Sequence, residues 1–397
     1  MKNFVLIADC FPPLTNSGAI QVRDLALEFV KKDFSLTVIT PDPNLSQSFL
    51  LEDNEGIQVV RLRSSKLKNI SYFRRTINEF LLPFKMIVNI RKSRLIYDNW
   101  DGIIWYSPTI FLGLFVHYLK SKNSCKSYLI IRDIFPQWAH EMGILSKSPL
   151  YYFFNFVARY QYSQADTIGI QTSGNEIYFQ KWKEKNNRRL EVLSNWLGDS
   201  NTIKCSLRID DTILKDRVIF LYAGNMGVAQ DLDIVLELAF KFRFNPNIGF
   251  LFVGGGREYK RLEEKSIHMG LLNVIFHKGV HPDEIEDLYS QCDIGIVSLD
   301  KRHKSHNIPG KFISYMKFGL PVLAIVNQNN DLVNLINSKN VGVVTETHDV
   351  NDLFQQANKL LEIIDSSDRV NKNCKSLFLS DFSVEKAMSQ IINSLAT

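Results

Sequence analysis

The feature that most constrains this chain is an alternation kept up from end to end: short apolar runs of strand length, each followed by residues at helical spacing. FVLIA (4–8) precedes QVRDLALEFVKK (21–32), where Val22, Leu25, Ala26, Phe29 and Val30 share one stripe. LTVIT (36–40), IQVVRL (57–62), GIIWYS (102–107), SYLIIRD (127–133), DTIGIQT (166–172) and LEVL (190–193) continue the series. Strands that are apolar without a break are buried on both faces, and helices between them make the pairing parallel. The rhythm halts over the polar stretch 194–216. It restarts with RVIFLYAG (217–224), IGFLFVGGG (248–256), NVIFHKG (273–279), DIGIVSL (293–299), PVLAI (321–325) and VGVVT (341–345). A chain of 397 residues is too long for one ordinary core. The expectation is α/β, with two Rossmann-like doubly wound domains, 1–195 and 196–380, facing each other across a cleft. A last helix within 381–397 is free to pack on either.

Composition excludes several alternatives. Five scattered cysteines, none in C-x-x-C spacing, argue for a reducing compartment and against a thiolate metal site. MKNFVLIADCF reads as a first strand rather than a leader, and no run approaches 18 apolar residues. His303 and His306 have no accompanying ligand cluster, His140–Glu141 lacks the second histidine of H-E-x-x-H, and neither G-x-S-x-G nor a Walker A loop occurs. Residues 61–94 stand apart: ten Lys or Arg against one Glu make this segment +9, leaving the remainder about −4. Aromatic and aliphatic residues interleave with the charges. The stretch suits an anionic membrane surface, with Arg74, Arg75, Arg91 and Lys92 facing the lipid, or else a core helix with a solvated basic face. No nucleic-acid recognition motif accompanies it.

In doubly wound sheets ligands sit beyond the carboxyl ends of the strands, which directs attention to the βα loops. DCFPPLTNSGAIQ brings Gly18 to a helix start. AGNMGVAQDLD holds Asn225 between Gly224 and Gly227, with Gln230 close behind, and GGGREYK sets Gly255 and Arg257 in a glycine cluster. HNIPGKFISYMKFGLPVLAI enters a helix at Lys311. A helix N-terminus favours an anion, although Pro and a solvated Lys are also ordinary helix-start chemistry. With HKGVHPDEIEDLY between the last two of these, four successive junctions in the second half carry Gly or basic residues, and that favours the anion.

Taken in order, F-P-P…G-A…R-D-L-A-L-E-F-V-K-K, Y-A-G-N-M-G-V-A-Q-D-L-D, V-G-G-G…N-V-I-F-H-K-G-V and P-G-K-F-I-S-Y-M-K-F-G-L-P-V-L-A resemble the retaining GT-B glycosyltransferases of family 4. The likeness runs from about residue 4 to 365. It is greatest to a bacterial polysaccharide branch of colanic-acid and L-fucosamine transferases.

The resemblance implies a nucleotide-diphosphate sugar on the C-terminal domain and an acceptor on the N-terminal one, with no further cofactor and no metal. The base would meet Gly279–Val280, the ribose Ser314 and Tyr315, and the diphosphate the loops of Gly18, Asn225 and Lys311. Two departures stand out. Where many members have two glutamates this chain has His306 and Ser314, and where many have Arg and Lys it has Asn225 and Gln230. Lys311, helped by Arg257, is then the remaining partner for the phosphates. IIRDIFPQW resembles a D-x-W-P strand end, making Asp133 the candidate group at the acceptor hydroxyl and Arg132 a candidate for an acceptor phosphate. The implied reaction moves a sugar, L-FucNAc from UDP, to a lipid-diphosphate-linked saccharide of O-antigen or capsule, on the inner face of the cytoplasmic membrane. A UDP-sugar 2-epimerase of similar fold and a non-catalytic subunit binding a partner enzyme are the alternatives.

Overall fold

A computed structural model describes residues 2–14, 16–67, 70–93, 99–141, 143–184, 188–199, 202–301 and 308–396. His303 and His306 lie outside them. The chain forms two compact units, residues 1–198 with 384–397, and residues 199–383.

Among the described residues the first unit holds an eight-stranded sheet. Its strands are β1 (Asn3–Ile7), β2 (Ser35–Asp42), β3 (Phe49–Asn54), β4 (Ile57–Arg63), β5 (Gly102–Ser107), β6 (Lys126–Ile131), β7 (Thr167–Ile170) and β8 (Arg189–Val192). The order is β3-β4-β2-β1-β5-β6-β7-β8. β1 shows why these strands read as unbroken apolar runs. Val5 and Ile7 enter one core, with Leu82, Met86 and Ile90 of the Tyr72–Ile90 helix, while Phe4, Leu6 and Ala8 enter another beneath the Ser17–Lys31 helix. Successive side chains point to opposite faces, so a sheet covered on both sides favours apolar residues at successive positions.

β3 has no counterpart in the sequence reading. It pairs antiparallel with β4 through a two-residue turn at Glu55 and Gly56, whose φ values of 57° and 81° are those of a hairpin turn that matches strand twist. FLLEDN is too mixed to read as a buried strand, and the turn dipeptide was the available signal. The Val384–Ala396 helix packs on this same unit: Lys32 pairs with Glu385 at 2.5 Å, Ser394 donates to Glu191, and Met388 and Ile391 join the core beneath the Ser17–Lys31 helix. The polar stretch after residue 194 is tied down rather than loose. Trp196 is fully buried and its indole N–H donates to the Gln21 carbonyl, while the Cys205 and Ile209 amides are held by Asp287 and Gln291.

Among the described residues the second unit holds six parallel strands, β9 (Val218–Asn225), β10 (Ile248–Gly255), β11 (Val274–His277), β12 (Ile294–Ser298), β13 (Val322–Ile325) and β14 (Gly342–Thr345), in the order β11-β10-β9-β12-β13-β14. Strand order reverses between β9 and β12. That point is where a doubly wound sheet opens a crevice for a ligand.

Candidate functional site

β9 and β12 stay in register only at Ile294↔Phe220 and Gly295↔Leu221, then part. Tyr315, on the Gly310–Phe318 helix, fills the gap. Its hydroxyl accepts from the Ala223 amide at 3.1 Å and donates to the Leu221 carbonyl at 3.2 Å, replacing the lost ladder. Gly295 makes room, since a Cβ there would lie 2.5 Å from the Tyr315 ring. The Tyr315 side chain is therefore wholly buried, and its expected place at a ribose is corrected to that of a strand-bridging group.

One helical turn earlier, Lys311 reaches the mouth of the same gap. Its Nζ lies 3.5 Å from the centre of the Tyr222 ring, beside Gly224. Among the described residues no carboxylate pairs with it. Burial alone lowers its pKa to about 7, because removing an ammonium from water penalises the charged form. The helix has Pro309 at its N-cap with no side-chain cap and no acidic residue in its first turn, leaving its end to an outside acceptor.

The glycine loops converge on this mouth. A Cβ on Gly254 would sit 2.1 Å from the Gly224 carbonyl oxygen, and both residues hold positive φ, so the β9 and β10 ends press backbone on backbone. A Cβ on Gly279 would come within 3.8 Å of Gly254, which brings the half-buried Val280 alongside. Gly255 and Asn225 are register partners at the exposed ends of β10 and β9, and Arg257 follows, exposed and without an ion pair among the described residues. Gln230 is committed locally: its Oε1 accepts from the Gly227 amide at 3.0 Å and from Asn225 Nδ2 at 3.4 Å. Gln230 thus braces the Asn225 loop through its Oε1. Ser314 returns its hydroxyl to the Gly310 carbonyl at 3.3 Å. Sequence reasoning missed Tyr222, which supplies the face under Lys311 and donates to the Asn225 carbonyl at 2.6 Å. Nothing in RVIFLYAG distinguishes that ring from core.

Gly18, Arg132 and Asp133 lie in the first unit. Gly18 follows the Asn16 N-cap, and a Cβ there would come within 3.1 Å of Cys10 Sγ. Asp133 is open to solvent just beyond β6. The protein around it raises its pKa, while the neighbouring Arg132 charge pulls the other way. Arg132 is buried, with its Nε and Nη2 unpartnered among the described residues. Its guanidinium lies over Trp196 at 4.4 Å and donates to the Leu193 carbonyl at 3.1 Å. A cavity of about 300 Å³ opens in this unit beyond β1, β2 and β4, lined by Phe11, Asp42, Arg61 and Lys66 among others. Of the basic residues expected at lipid, Arg74, Arg75, Arg91 and Lys92 are all exposed, but Arg75 pairs with Glu79, Arg91 caps Tyr118 and Lys92 donates to Ser48.

The fold is that of the two-unit GT-B class. Residues 207–377 match the family described as Glycosyl transferases group 1, so the chain carries a domain of that kind. Two curated relatives are similar. Against a protein named as the glycosyltransferase WbjE of Pseudomonas aeruginosa, identity is 22% over 66% of this chain and 65% of the relative. Against one named for colanic acid biosynthesis, the glycosyl transferase WcaI of Escherichia coli, it is 25% over 55% and 56%. The chain thus spans less than two thirds of the length of either. Among solved structures, a sucrose-phosphate synthase from Thermosynechococcus elongatus aligns with TM-score 0.69 at 15% identity, covering 99% and 98% of the two chains. Anabaena HepE in complex with UDP aligns with TM-score 0.66 at 14% identity over all of both chains. At such identities these likenesses establish the fold.

Proposed function

We propose that the chain is a retaining, metal-independent glycosyltransferase. It takes a sugar from a UDP-linked donor, L-FucNAc in the reading closest to its sequence, and places it on a lipid-diphosphate-linked saccharide of O-antigen or capsule at the inner face of the cytoplasmic membrane. The observation that carries this is Lys311, a lysine without a counter-ion among the described residues, at the reversal point of the second sheet and beside glycine loops and an uncapped helix N-terminus. Such a place is built for an anion that arrives with the ligand. Likeness to the glycosyltransferase WbjE, to WcaI of colanic acid biosynthesis and to HepE with its bound UDP supports a nucleotide-sugar donor and polysaccharide assembly.

The diphosphate would rest on Lys311 and the Gly310–Phe318 helix end, with Arg257 as a second cation and Ser314 and the Gly279–Val280 backbone at the nucleoside. As the glycosidic bond breaks, negative charge grows on the leaving phosphate, and a cation fixed in advance stabilises it without reorganisation. That phosphate takes the acceptor proton on the face it leaves, so the protein's work is positioning. Asp133 is the group available to orient the acceptor hydroxyl.

The test is thermal stability with UDP, GDP, ADP and dTDP. UDP is expected to raise Tm where the others do not, and Lys311→Ala to weaken the rise about tenfold in ligand concentration. No response to any nucleotide would leave the non-catalytic subunit as the better reading.

A further inference from the structure

The Tyr72–Ile90 helix has two apolar faces, and only one is spent on the core. Leu82, Met86 and Ile90 are buried. Phe73, Ile77, Phe80, Phe84 and Val88, at steps of four, three, four and four, form a second stripe that is exposed, Phe73 at 76%. A helix on the surface of a water-soluble unit ordinarily turns polar residues outward. The stripe does not end with its helix. Phe80 meets Phe153 of the Pro149–Ser163 helix, ring centres 6.1 Å apart, and that helix also exposes Leu150, Tyr152 and Phe156, the last at 70%. Exposed aromatic residues on two helices joined at the Phe80–Phe153 contact mark a surface made to be covered.

Charge selects what covers it. Residues 61–94 carry +9, the one acid, Glu79, is already paired with Arg75, and the Pro149–Ser163 helix contributes Arg159 with no acidic residue. A second copy of this chain would set the same positive field against itself across a two-fold interface. An anionic bilayer attracts the cations and accepts the rings. We infer that the Tyr72–Ile90 and Pro149–Ser163 helices jointly seat in an anionic bilayer, with Phe73, Phe84 and Phe156 entering the acyl boundary and the flanking Arg and Lys at the headgroups. This deepens the membrane association in the function proposed above and extends it to a helix with no basic run to announce it.

The test is co-sedimentation of the full chain with vesicles of phosphatidylglycerol and phosphatidylcholine, and with phosphatidylcholine alone, in the absence of donor and acceptor. Wild type is expected to bind the mixed vesicles at least tenfold more tightly. The triple variant Phe73→Ser, Phe84→Ser, Phe156→Ser is expected to lose at least tenfold in affinity with its melting temperature unchanged, and Phe156→Ser alone to lose part of that. Phe244→Ser, which alters an exposed ring of the other unit, is expected to change nothing. Undiminished binding by the triple variant, an equal loss with Phe244→Ser, or a wild-type dimer that the triple variant dissolves would each overturn the inference. Because no nucleotide is present, failure here leaves the response to UDP standing, and failure of that response leaves vesicle binding standing.

Discussion

Lys311 carries a charge that burial makes costly, and the cost sets two pH dependences of opposite sense. In the unfolded chain its ammonium titrates near 10.5, in the ligand-free fold near 7. Between those values the unfolded state holds more proton, so this residue's contribution to stability rises with pH across the window. Lys311→Met is accordingly expected to raise the Tm of the ligand-free protein more at pH 6 than at pH 10. A diphosphate prefers the protonated form. Affinity for UDP, measured by calorimetry, is therefore expected to fall above pH 7 by up to about tenfold per pH unit. Lys311→Arg should bind without that slope, since a guanidinium stays charged. The position of Lys311 was legible in the sequence because the chemistry is local: a glycine, a lysine and a helix start after a strand. The roles of Arg132 and Tyr315 were not, because each depends on the face its side chain takes. Arg132 shares the parity of Tyr128 and Ile130 along β6, which sends it into the core to stack on Trp196.

Among the elements, the gap between β9 and β12 is the feature on which the site depends, and a phenol hydroxyl closes it. Tyr315→Phe keeps the ring against Gly295 but leaves the Leu221 carbonyl and Ala223 amide without their partner. The expected cost is about 1–3 kcal/mol in urea unfolding, with the melt still cooperative. The alternation of elements could be read because buried parallel strands are made mostly of apolar residues, with only a few polar ones such as Thr37 and Ser298. The β3–β4 hairpin escaped because one of its strands lies at the sheet edge, where FLLEDN need only be half apolar. The Tyr72–Ile90 helix shows a different limit. Membrane face and core helix looked like alternatives in the sequence, and its two stripes let it be buried on one side while presenting phenylalanine on the other.

For the molecule as a whole, the Val384–Ala396 helix matters most. It buries Val384, Ala387, Met388, Ile391 and Leu395 against the first unit, although the chain reaches it only after completing the second. At about 1.5–3 kcal/mol per large apolar side chain, its removal forfeits as much as a domain's usual net stability. Deleting residues 384–397 is expected to unfold the first unit, seen as loss of its cooperative melt, while the second keeps its response to UDP. The helix also fixes an order of events during synthesis. The first sheet leaves the ribosome before the second unit, yet one wall of its core is made only after that unit. Until then Phe4, Leu6 and Phe29 lack part of their cover, while residues 199–383 already have every strand and helix of their own unit. Translation therefore favours completion of the C-terminal unit before the N-terminal one, the reverse of the order in which the two are encoded.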